Sequence, residues 1–91
     1  MSLDRAVSEI PLSLRDVLAK RLVEIILGTS ERDAVPVELA KRIIYLWRQD
    51  QLESDAGIKT LLEASVIVDA EATAGVLREL GLQEIYAVLR G

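Results

Sequence analysis

Apolar residues recur at three- and four-residue intervals in one short stretch after another along this chain, and that spacing commits it to helices packed on helices. Leu14, Val17, Leu18, Leu22, Ile25 and Ile26 form the first such set. Ser13 and Asp16 have the spacing of a capping box, and Gly28 stands where a left-handed C-cap is expected, which predicts a helix over Leu14–Leu27. Thr29 to Val35 is polar and reads as a loop. Pro36 suits the first turn of a second helix, with Glu38 near its positive end. Leu39, Ala40, Ile43, Ile44, Leu46 and Trp47 of that helix fall within roughly 160° of one face, and Tyr45 falls opposite them with Glu38, Lys41, Arg42 and Gln49.

Gln49 to Glu53 breaks the pattern, and Ser54 or Asp55 can cap a third helix that lines one face with Ile58, Leu61, Leu62, Ser65 and Val66. The β-branched run Val66-Ile67-Val68 is open to a short buried strand. Helix is preferred, because Thr60 to Ala64 leads into it without a breaker. Asp69 suits the N-cap of a fourth helix that buries Thr73, Val76, Leu77 and Leu80 and stops at Gly81. A last helix carries Leu82, Ile85, Tyr86 and Leu89. The opening stretch, Arg5 to Pro11, is compatible with an extended arm, a short strand or a brief helix. The expected fold is all-α: a small irregular or orthogonal bundle of about five helices over residues 12–91, preceded by a short arm over residues 1–11.

Size makes the stability of such a bundle a question. At 91 residues it is one domain, and a domain this small buries only about 60–65% of its unfolded surface. Cysteine and histidine are both absent, so disulfides, thiolate metal sites and imidazole ligands are excluded as supports. Yet 51% of the residues are hydrophobic and the mean hydropathy is +0.27. Average usage is about 45–50% apolar with glycine counted, so some of this excess is expected on the surface. Self-association as a homodimer, or docking on another protein, would cover it. Tyr45, Trp47, Ile85, Tyr86 and Leu89 are the interface candidates.

No apolar run approaches the roughly 18–20 residues of a membrane span, and the mixed-charge opening Met1 to Arg5 has no apolar run behind it. A cytoplasmic protein is the expectation. The net charge of −4 lies entirely in the second half: residues 1–50 hold eight basic and eight acidic side chains, and residues 51–91 hold three and seven. The lack of asparagine and cysteine, beside abundant Ile, Leu, Val, Glu and Arg, matches a hyperthermophile composition.

No glycine-rich phosphate loop, nucleophile–base pair or metal-ligand cluster is present, so no catalytic residue, cofactor, metal site or small-molecule substrate is expected, and an enzyme is not. The carboxylate pairs Glu53/Asp55 and Asp69/Glu71 stand at expected helix starts, where capping alone accounts for them. Lys20-Arg21 and Lys41-Arg42 place basic pairs on two helix faces, each beside a balancing acid (Glu24 and Glu38). They belong to an internal echo, Leu18-Ala19-Lys20-Arg21-Leu22-Val23 against Leu39-Ala40-Lys41-Arg42-Ile43-Ile44. Two copies do not make a solenoid array. Residues 40–66 also fit a helix-turn-helix whose reading helix would offer Lys59 and Thr60.

The stretches Ile10-Pro11-Leu12-Ser13, Leu46-Trp47-Arg48-Gln49-Asp50-Gln51-Leu52-Glu53-Ser54 and Leu77-Arg78-Glu79-Leu80-Gly81-Leu82 together resemble small archaeal antitoxin-type helix-turn-helix proteins. This chain departs from them by a longer segment between Leu52 and Gly81 and by lacking their compact Ala-Ala-Glu-Leu-Ala-Gly type of turn. The resemblance implies an alternative function, DNA binding in transcriptional regulation, for which Lys20, Arg21, Lys41, Arg42 and Lys59 are the candidate contacts. Nucleic acid is otherwise not an expected partner, given where the negative charge lies.

Overall fold

A computed structural model of the chain describes residues 2–28 and 35–91. Among the described residues six helices follow one another: α1 (Leu3–Ser8), α2 (Leu12–Leu27), α3 (Val37–Arg48), α4 (Asp55–Val68), α5 (Ala70–Glu79) and α6 (Gln83–Arg90). The fold is all-α, and no strand occurs among the described residues. The sixth helix is α1: of the three forms open to the opening stretch, it takes the brief helix, with the Ser2 side chain accepting from the Arg5 amide at its start. Residues 2–11 hold core side chains, since Ala6, Val7 and Ile10 are buried. The run Val66-Ile67-Val68 is helical. Of the loop expected over Thr29–Val35, residues 29–34 lie outside the described residues.

The core is organised around α4. It touches each of the other five helices, and Gly57, Ile58, Thr60, Leu61, Leu62, Ala64 and Ser65 are buried around its circumference. Its polar members bond to their own helix: Thr60 Oγ1 donates to the Ala56 carbonyl and Ser65 Oγ to the Leu62 carbonyl. Around α4, α1 meets α6, α6 meets α5, and α5 meets α2. The remaining side is taken by α3, which packs on α4 and on no other described helix.

Caps set most of the helix limits. Ser54 accepts from the Gly57 amide and Asp69 from the Ala72 amide, as their sequence positions suggest. Helix α5 ends in a Schellman turn: Gly81 takes φ +75°, the Leu82 amide donates to the Leu77 carbonyl and the Gly81 amide to that of Arg78. Helix α3 ends the same way with a non-glycine residue. Asp50 takes φ 55°, while the Gln51 and Asp50 amides donate to the carbonyls of Leu46 and Trp47. This turn lays the Gln51 and Leu52 carbonyls directly against Gly57, where a Cβ would collide with both. Two expectations at the ends of α2 are corrected. The helix starts at Leu12 behind Pro11, so Ser13 and Asp16 are interior residues and form no capping box. Gly28 has φ −77° and is not left-handed, because the Gly28 amide still donates to the Glu24 carbonyl in helical fashion.

The face of α2 also differs from its sequence pattern in one respect. Val17 is exposed, while Arg15 is only 6% exposed. The Arg15 guanidinium donates to the carbonyls of Val7, Ile10 and Glu53, and Nη1 lies 2.7 Å from Asp55 Oδ1. It therefore supplies donors to carbonyls at the end of α1 and clips the entry of α4, which satisfies its own buried polar atoms at the same time.

Truncating Arg15 takes the donors from the Ile10 and Glu53 carbonyls and leaves the Val7 carbonyl with the Ile10 amide alone, whereas the Asp55 side chain is 61% exposed and is easily solvated. Arg15→Ala is expected to cost about 2–4 kcal/mol in urea unfolding, and Asp55→Asn about 1 kcal/mol or less. Equal losses would contradict this assignment. Gly57→Ala is expected to lower stability by about 2 kcal/mol or more. Gly75→Ala, at a helical position where a Cβ meets nothing within 4 Å, should raise stability by up to about 1 kcal/mol.

Candidate interaction surface

The second helix of the echo is covered far less than the first. In α2, Leu18 and Leu22 are fully buried and Ala19 nearly so. In α3, their counterparts Leu39, Ala40 and Ile43 are only half-buried, and Leu46 is the one buried residue of the helix. The expected apolar face of α3 is thus split. Leu39, Ile43 and Leu46 lie toward α4, while Ile44 and Trp47 stand out at 49% and 66% exposure, with Val37 at 65%. At 100° per residue, Trp47, Ala40, Ile44 and Val37 fall within about 80° of one another, one band along the helix. Their spacing, 37-40-44-47, is the a/d repeat of a helix that expects another helix on top of it. Lys41 and Arg48 lie next round the helix from Val37, and Glu38 is the only acid on α3. Tyr45, 61% exposed, lies beyond those cations and outside the band.

Because α3 meets neither α1 nor α2, it stands as a ridge with an opening on each side. On the α1 side, Asp4, Arg42, Asp55, Lys59 and Glu63 line a charged cleft. Lys59 Nζ lies 2.7 Å from Asp4 Oδ1 there. The hydrogen bond and charge of Asp4 hold the Lys59 ammonium above its ordinary pKa, so it stays protonated. On the α2 side lies a groove of about 390 Å³. Ala19, Val23, Leu52 and Trp47 give it apolar walls, and Asp16, Glu24, Asp50, Glu53 and Lys20 form its rim. Leu12 and Leu27, both strongly exposed, continue the α2 wall, since they share a sector of about 80° with Asp16, Ala19 and Val23.

The sequence-derived candidates are scattered. Ile85 is 4% exposed and belongs to the core, and Tyr86 and Leu89 are half-buried against it. The Arg90 guanidinium lies 5.9 Å from the centre of the Tyr86 ring. Tyr45 and Trp47 are both exposed but face different sectors of α3. Among the basic residues, Lys20 pairs with Asp16 at 3.3 Å and Arg21 with Glu79 at 3.0 Å. Lys41 and Arg42 are exposed on α3. The sequence pattern alone does not mark Val37, Leu12 or the groove residues Ala19, Val23 and Leu52 as an interface. The a/d spacing singles out Val37 only once Ile44 and Trp47 are known to be exposed.

Among the described residues no group of three or more acidic side chains is placed to hold a metal ion, and no helix is long and apolar enough to cross a membrane. Comparison with protein families, characterised proteins and solved structures finds no match.

The split of α3 sets an order of mutational costs. Leu46→Ala is expected to cost about 2–5 kcal/mol. Val37→Ser, on the open side, should stay within about 1 kcal/mol in dilute solution. A large loss at Val37 in the dilute protein would mean that the band is already covered within one chain.

Proposed function

We propose that this chain is a non-enzymatic helical interaction module that works by associating with copies of itself. The observation that carries the reading is the band Val37, Ala40, Ile44, Trp47, an a/d-spaced apolar stripe on a helix with only one neighbour among the described helices. Single exposed apolar residues need no explanation, but a continuous stripe ending in an exposed tryptophan has the composition of an interface centre. An isologous dimer is the commonest way to cover such a stripe, because each copy offers the same surface. The apolar excess of a small chain without disulfides fits the same reading.

The DNA-binding alternative has no comparable surface in its favour. Its reading helix would be α4, whose Thr60 is buried and bonded to the Ala56 carbonyl and whose Lys59 is held by Asp4. Lys20 and Arg21 are likewise engaged with carboxylates.

Light scattering over a dilution series tests the proposal. The expected result is a mass of at least twice 10.0 kDa that falls toward one chain only at low concentration. Ile44→Asp should give a folded monomer, since Ile44 lies outside the core. A wild-type monomer at several hundred micromolar would overturn the reading.

A further inference from the structure

The groove beside α2 specifies what can occupy it. Its walls are apolar, and four of its five charged rim residues are acidic. The one cation, Lys20, is already 3.3 Å from Asp16. Glu24, Asp50 and Glu53 have no basic partner among the described residues. The matching occupant is a helix with an apolar stripe and a basic flank. This chain carries one: the open band of α3, bordered by Lys41 and Arg48.

Band-on-band packing of two α3 helices is the simpler arrangement, and charge disfavours it. Lys41 and Arg48 occupy the same flank, one heptad apart, so an antiparallel α3 pair would bring the cations of both copies together. Seating the band in the partner's groove instead places those cations against Glu24, Asp50 and Glu53. The two surfaces adjoin, because Trp47 belongs to both the band and the groove wall. A twofold axis passing close to Trp47 therefore lets each copy insert its ridge into the other's groove at once, which closes the assembly at two chains.

We infer, building on the self-association proposed above, that the α3 ridge of one copy docks in the acid-rimmed α2 groove of a second copy, with Trp47 at the shared centre. The dimer is then held by apolar burial and aligned by Lys41 and Arg48 facing Glu24, Asp50 and Glu53 across the interface.

Two charge-reversed proteins test this, with circular dichroism confirming that each is folded. One carries Lys41→Glu and Arg48→Glu on the ridge, and the other carries Glu24→Lys and Glu53→Lys on the groove. Each alone is expected to self-associate about ten-fold or more weakly than the wild type in sedimentation equilibrium. An equimolar mixture should regain the dimer, since each ridge then meets a groove of opposite sign. Wild-type association should also weaken as salt rises. A wild-type dimer that neither reversal weakens, or a weakening that mixing does not repair, overturns ridge-in-groove docking while leaving self-association standing. A wild type that stays monomeric at several hundred micromolar overturns both. Should the reversed proteins fail to fold, a wild-type dimer with no salt dependence overturns the docking.

Discussion

The guanidinium of Arg15 is the interaction on which the rest of the arrangement depends. Helix α1 has six residues, too few to hold its shape alone, and the carbonyls at its end need donors if they are to be buried. Arg15 gives donors to the Val7 and Ile10 carbonyls and, with the same planar group, to the Glu53 carbonyl just before α4. One side chain of α2 thereby fixes both the start of the fold and the entry of its central helix. With α1 so placed, Val7 and Ile10 close the row of helices that runs from α1 through α6 and α5 to α2. Lysine has no planar fork to spread over three chain segments, which is why arginine occupies the position.

That row covers all but one side of α4, and the last side falls to α3. No described helix stands behind α3, so a helix whose sequence face is wide enough for a core position is covered on only part of it. The apolar excess in the composition thus has a location. Most of it lies along Val37, Ile44 and Trp47, and along Leu12 and Leu27 on the far wall of the neighbouring groove, with Val17, Tyr45 and Ile67 exposed elsewhere. Burying each such side chain is worth about 1.5–3 kcal/mol. Two or three of them covered by a partner would match a large part of a small domain's net stability, and this makes association energetically relevant here.

Local chemistry was legible in the sequence where a residue acts on its own neighbourhood. Ser54, Asp69 and Gly81 sit at helix ends because a side-chain acceptor or a left-handed turn satisfies backbone groups within five residues. Ser13 misled because Pro11 two residues earlier starts the helix without a side-chain cap. The burial of Arg15 was not legible at all, since its partners at Glu53 and Asp55 lie 38 and 40 residues away. The echo shows the limit most clearly. Leu18-Ala19 and Leu39-Ala40 are the same dipeptide in the same register, yet α5 covers α2 beside α4 and no second described helix covers α3. Periodicity marks the face that seeks cover, and tertiary neighbours decide whether it finds any. For that reason Trp47 was legible as an interface candidate, while the groove beside it, built from three segments, was not.

The corner between α3 and α4 links the architecture to the surface it presents. The left-handed Asp50 turns the chain, and the Gln51 and Leu52 carbonyls settle onto the bare Cα of Gly57. This close approach fixes how α3 leans on α4, and so fixes where Trp47 stands relative to α2. The same few residues also form the groove: Leu52 gives it apolar wall, Asp50 and Glu53 give it charge, and the Glu53 carbonyl is the one Arg15 holds. A substitution at Gly57 therefore acts at two levels, lowering stability through the backbone collision and displacing one wall of the groove. Gly75, with open space around it, has no such reach. The geometry of the candidate surface is thus set by a buried glycine and a buried arginine that hold the backbone of its lining residues without lining it themselves.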